Sequence, residues 1–170
     1  MKRIFAVFVS MLLLSLLCAC GGDNSSAQET PSEPEEPTVE PVIDIFQIAN
    51  KNESEVASVL GDPVLSENGN FTLNSGEKIS SISNTYAGGE EITFLQDKAA
   101  RITIYPPDGS LVENGAALIG LTKEQARTGS YDNLGDWRWN DNTEFYSIDA
   151  FNNGDGTISY IYVITDEIYK

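Results

Sequence analysis

The sequence predicts an α+β fold: a tandem repeat of one helix followed by three strands, with the strands in an antiparallel sheet and the helices on one face. Three observations predict it. Two capping-box sequences mark helix starts, each is followed by three strand-like runs, and turns rich in Gly, Asn and Asp separate the runs.

The first helix starts at Asn52-Glu53-Ser54-Glu55. A cap residue followed three later by Glu or Gln satisfies two orphan backbone donors reciprocally. Val56, Val59 and Leu60 then form an apolar stripe, and Gly61 and Pro63 end it. The second helix starts at Thr122-Lys123-Glu124-Gln125, with Leu121 before the cap, Ala126 continuing the face and Gly129 as the stop. Strands are expected over residues 78–86, 91–95 and 101–105, joined by Gly88-Gly89 and by Gln96-Asp97-Lys98-Ala99. In the second repeat they are expected over 136–140, 144–151 and 157–165. Asn152-Asn153-Gly154-Asp155-Gly156 is the hairpin signal between the last two, because Asn and Gly tolerate positive φ. The repeats span about residues 43–110 and 111–170, and residues 64–77 read as a long polar insertion between helix and strand.

Ahead of this domain stands an address. Residues 1–19 combine Lys2 and Arg3, an apolar run from Ile4 to Leu17 and a small residue at position 19. That run is short for a membrane span, which needs about 20 residues, and has the layout of an export signal. Leu17-Cys18-Ala19-Cys20 resembles a bacterial lipobox. The expectation is a lipoprotein signal peptide, cleaved before Cys20, whose thiol carries a diacylglycerol. Two acyl chains anchor stably where one is marginal. The expected location is the outer, extracytoplasmic face of a cell membrane. Both cysteines lie in this leader region, so residues 43–170 contain no thiol.

Residues 21–42 carry Pro31, Pro34, Pro37 and Pro41, six acidic residues and no Lys or Arg. Such a composition does not bury enough surface to fold. With Cys20 it is expected to be an acidic tether, reaching roughly 60–70 Å at ~3.1 Å per residue. Residues 43–170 form one expected globular domain, with 20 acidic and 8 basic side chains. This charge disfavours nucleic acid and direct adsorption to anionic lipid, and suits a cation or a basic protein partner.

Several short segments carry a resemblance. Lys51, Glu55-Val56, Leu60-Gly61 and Pro63 come first, then Ile92-Thr93-Phe94, Asp97-Lys98-Ala99 and Ile102-Thr103-Ile104. Leu118-Ile119-Gly120-Leu121, Arg138-Trp139, Asn153-Gly154 and Tyr160-Ile161-Tyr162-Val163 follow in order. Together they resemble small lipoproteins and phage-associated proteins of Gram-positive bacteria that have no assigned activity. The twofold layout also resembles, in topology alone, the β-lactamase inhibitor protein fold and the small lipoprotein of the outer-membrane barrel-assembly machinery. That resemblance implies protein binding, though function does not follow from fold.

The chain has no histidine. Ser-His-Asp and Cys-His catalysis are therefore excluded, as are the usual zinc ligand sets. No cofactor or metal site is expected. Carboxylates remain as candidate chemistry: Glu90-Glu91, which as strand neighbours point to opposite faces, and Asp132, Asp136 and Asp141 around a loop. Asn153-x-Asp155-Gly156 looks like the middle of a calcium loop, but its end positions are Phe151 and Tyr162, which offer no chelating carboxylate. The aromatic set is the candidate ligand-binding constellation. Trp137 and Trp139 share one face of a strand and Tyr160 and Tyr162 share one face of another. Two readings stand: these are core residues, or they line a partly exposed sheet face that contacts a partner. The expected function is a non-enzymatic, membrane-anchored binding module for a protein or cell-envelope component. The alternatives are an accessory subunit of an envelope complex and, third, a carboxylate-based hydrolase.

Overall fold

The computed structural model describes residues 39–127, 129–131, 135–139 and 144–170. Eight strands form one antiparallel sheet among these residues: β1 (Leu65–Thr72), β2 (Lys78–Thr85), β3 (Glu91–Leu95), β4 (Lys98–Ile104), β5 (Ser130–Tyr131), β6 (Trp137–Trp139), β7 (Ser147–Asn152) and β8 (Ile158–Ile164). Their spatial order is β1-β2-β3-β4-β8-β7-β6-β5. The helices are short: α1 (Glu53–Leu60), α2 (Gly115–Leu118) and α3 (Lys123–Ala126). The fold is thus dominated by its sheet. The described residues belong to one unit, Pro37–Lys170. The leader, Cys20 and residues 21–38 of the tether lie outside the described residues, as do Asp132 and Asp141.

Both capping boxes are formed. The Asn52 side chain accepts from the Glu55 N–H at 2.9 Å, and the Glu55 carboxylate accepts from the Asn52 N–H at 3.0 Å. Thr122 and Gln125 repeat the arrangement at α3, which is only one turn long. Gly61 ends α1 at φ 83°, where a side chain is disfavoured. The tether meets the domain slightly before the expected boundary at residue 43. Val39 packs against the core, and the Val42 N–H donates to the Leu118 carbonyl at 2.8 Å.

Residues 64–77 are not an insertion. They hold β1 and its turn into β2, paired in register from Leu65↔Thr85 to Thr72↔Lys78. β1 is an edge strand with seven of its eight residues exposed, so it shows none of the apolar alternation that marks a half-buried strand. The turn between β3 and β4 is also tighter than expected. Gln96 and Asp97 alone make it, at φ 52° and 61°, so β4 begins at Lys98. Two consecutive positive φ values match a two-residue turn to the twist of the strands it joins.

Alternation along the central strands builds the core. Ile92 and Phe94 of β3, Ile102 and Ile104 of β4, Ile148 and Ala150 of β7, and Ile161 and Val163 of β8 bury their side chains together. Ile45, Ile48, Val56, Val112, Leu118 and Ile119 complete the same cluster from the segments outside the sheet. Full burial of each large aliphatic side chain is worth about 1.5–3 kcal/mol. A second, smaller cluster forms around Leu95, Ala100, Ile164 and Tyr169. Tyr169 reaches it from a C-terminal 3-10 turn (Glu167–Tyr169), and its hydroxyl lies 3.1 Å from Gln96 Oε1.

Candidate functional site

The register divides the four aromatic residues expected to form one surface. Trp137 stands beside Ala150 and then Ile161, and Trp139 beside Ile148 and then Val163. Both indoles therefore share the face of Ile161 and Val163, where the main core lies. Trp139 is 1% exposed, and its Nε1 donates to the Ala126 carbonyl at 3.1 Å. Trp137 stacks on it, with ring centroids 5.7 Å apart and planes 25° apart. A Cβ at Gly129 would overlap the indole nitrogens of both, which is why the stop after α3 is glycine. Tyr160 and Tyr162 alternate with Ile161 and Val163, and so project from the opposite face. The expectation of one common surface is corrected on this point: an odd offset separates the Trp pair from the Tyr pair in the sheet register.

The opposite face, called the outer face here, carries its own aromatic set. Phe151 and Tyr160 are cross-strand partners and stack at 4.5 Å. Tyr105, just past β4, adds a third ring 6.3 Å from Tyr160 and is 47% exposed. With Tyr162 and Thr103 these rings line a cleft of about 330 Å³. Phe151 and Tyr105 were not among the candidate site aromatics expected from the sequence. The signal for Phe151 was its period-2 relation to Asp149 and Ser147, which places it opposite Ile148 and Ala150.

A second cleft of about 440 Å³ runs from there toward the β1 edge, sharing Thr103 and Tyr162. Arg101 lies between two rings in it. Its guanidinium carbon is 5.0 Å from the Phe71 centroid and 5.2 Å from the Tyr162 centroid. Ser83, Thr93 and Thr103 supply hydroxyls, and Ser83 Oγ is 3.3 Å from Thr93 Oγ1. Glu67 and Glu91 contribute the negative charges. Burial pushes the Tyr162 hydroxyl above its ordinary range, and the Arg101 charge opposes that rise. Burial and then the Glu91 charge push Tyr105 up as well.

A third cleft of about 440 Å³ lies toward β6 and includes Tyr146, Asp149, Arg138 and Lys170. Asp149 is buried and paired with Arg138 Nε. Lys170 Nζ sits 5.7 Å over the Tyr146 ring.

The oxygens of the 152–156 turn are engaged locally. Asn152 Oδ1 accepts from Gly154 N and Gly156 N, and Asp155 Oδ1 accepts from the Thr157 backbone and hydroxyl. These Thr157 bonds hold the Asp155 carboxyl below its ordinary range. Asp136 Oδ1 accepts from the Asn152 N–H at 2.7 Å, tying the start of β6 to β7. Among the described residues, no group of three or more acidic side chains stands close enough together to hold a metal ion, and no helix is long and apolar enough to cross a membrane.

Set against known protein families, curated proteins and solved structures, the chain matches none of them.

Proposed function

We propose that this chain is a lipid-anchored, extracytoplasmic binding module without enzymatic activity, which recognises a protein or cell-envelope component on the outer face of its sheet. Cys20 is the anchor, and the acidic segment after it spaces the domain from the bilayer. The observation that carries the reading is the contiguous aromatic surface of Tyr105, Phe151, Tyr160 and Tyr162 on the sheet face opposite the main core. Aromatic rings supply large contact area at low side-chain entropy cost, which suits them to binding surfaces.

Within this reading the fold is a tandem duplication. Each half is a helical segment followed by four strands, and the two halves meet where β4 pairs with β8. The mirror-like strand order supports it, since β1-β2-β3-β4 is followed by β8-β7-β6-β5. Four strands per half replace the expected three once β1 and β5 are counted.

An accessory role in an envelope complex has one observation in its favour. β1 is an eight-residue edge strand with no proline, and its unpaired backbone groups can accept a strand from a neighbour.

Site-specific photo-crosslinking in cells tests the proposal. A photoreactive phenylalanine analogue replaces Tyr105 in one full-length chain and Val59, exposed on α1, in another. An adduct to an envelope component from position 105 and not from 59 is the expected result. Equal labelling from both positions contradicts the outer face as the binding surface.

A further inference from the structure

We infer that the Arg101 cleft is a binding site for a zwitterionic, peptide-like group, with the ligand's carboxylate at Arg101 and its ammonium at Glu91. This goes beyond the aromatic surface and rests on the outer face being the ligand side.

Arg101 is the first reason. Its Nε is buried and has no hydrogen-bond partner. No carboxylate forms an ion pair with it among the described residues, although the domain's acidic side chains far outnumber its basic ones. A buried donor left unsatisfied is costly, and the guanidinium of this half-buried residue carries a charge that no described carboxylate offsets directly. Arg101 lines the cleft. The Phe71 and Tyr162 rings lie 5.0 and 5.2 Å from its guanidinium carbon and restrict where the group can turn. A planar fork held in one orientation is what a carboxylate binds with two parallel hydrogen bonds.

The surrounding charges narrow the ligand. Arg101 faces Thr93 across the β3–β4 ladder, and Glu91 lies two residues along β3 on the same face. Diagonal neighbours of this kind are ~7–8 Å apart. Glu67, on β1, stands three strands from Arg101, at roughly 14 Å given the strand spacing. A simple anion at Arg101 would be repelled by Glu91. A ligand carrying an ammonium a few ångströms from its carboxylate meets complementary charges at both ends. The hydroxyls of Ser83, Thr93 and Thr103 lie in the same cleft and can accept or donate to an intervening amide. The volume, about 440 Å³, falls in the range of small-ligand sites.

Equilibrium dialysis of the full chain in detergent micelles tests this with three probes. These are alanyl-alanine, its N-acetyl form without the ammonium, and its C-terminal amide without the carboxylate. The inference predicts that alanyl-alanine binds at least tenfold tighter than either blocked form. Arg101→Gln should abolish the preference over the amide, and Glu91→Gln the preference over the N-acetyl form. Arg101→Lys keeps the charge and most of the stem but not the fork, and should fold normally and weaken binding several-fold. Binding of the amide or the N-acetyl form as tight as that of alanyl-alanine, unweakened binding by Arg101→Lys, or a preference over the N-acetyl form surviving in folded Glu91→Gln, overturns the inference. Tyr160→Ser separates this from the broader reading, because Tyr160 does not line the Arg101 cleft. The variant should keep the alanyl-alanine preference while losing the partner captured through position 105; loss of that preference in folded Tyr160→Ser would overturn the independent Arg101 site.

Discussion

Truncating Trp139 tests the division of the sheet into a packed and a binding face. The side chain is 1% exposed, stacks on Trp137, and donates its indole N–H to the Ala126 carbonyl. Removing about 200 Å² of buried aromatic surface at ~25 cal/mol per Å² gives about 5 kcal/mol. Measured Trp-to-Ala changes in cores fall at about 3–5 kcal/mol. The Ala126 carbonyl keeps the Gly129 N–H, 3.1 Å away, so loss of the indole hydrogen bond itself adds only about 0.5–1.5 kcal/mol. A domain of this size has about 5–15 kcal/mol in all. Trp139→Ala should therefore lose roughly a fifth of it or more, with Tm falling on the order of 10–20 °C. Urea unfolding of the full chain followed by circular dichroism, with the slope compared between variants, measures the loss. A Trp139→Ala chain within about 1 kcal/mol of the parent refutes the placement of this residue in the core.

Further outcomes follow from the anchor, the tyrosines and the 152–156 turn. Cys20→Ser should abolish lipid labelling and either release the chain from the membrane fraction or leave an uncleaved precursor. Unchanged detergent-phase partitioning with a processed N-terminus would count against Cys20 as the anchor. Tyr86, Tyr162 and Tyr169 all have hydroxyl pKa values raised above 10.0, with burial the largest cause. A raised folded pKa gives a contribution that is full below the unfolded value and lost as pH rises through the folded one. Urea midpoints should thus fall as the pH rises above about 10, and Tyr169→Phe should flatten that fall. Calcium titration should give no sub-micromolar transition, because the Asn152 and Asp155 side chains already serve the turn. A stoichiometric heat signal lost in Asp155→Ala would overturn that.

What the sequence disclosed depended on how local each signal was. Capping boxes at Asn52 and Thr122 involve side chains three residues apart, and both formed. β3 and β8 carry strong apolar alternation, and they lie where the pattern put them. β1 escaped because an edge strand exposed on both faces has no buried period, and only its pairing with β2 defines it. The split between Trp137–Trp139 and Tyr160–Tyr162 was hidden for a different reason. Alternation tells which residues of one strand share a face, but the relative register of two strands decides which faces coincide. That register runs through β7, from Trp139 by way of Ile148 to Val163. Nothing local in the sequence marks Arg101; its neighbours Phe71 and Tyr162 come from strands far away in sequence.

The outer aromatic surface is the centre of the account, and its direct test is binding to isolated cell envelopes by full chains carrying Tyr160→Ser with Phe151→Ser. These rings lie outside both buried clusters, so folding should survive their loss. The account predicts binding at least tenfold weaker than the parent chain, with the urea midpoint showing a loss of no more than about 2 kcal/mol. A folded double variant that binds envelopes as tightly as the parent would contradict it.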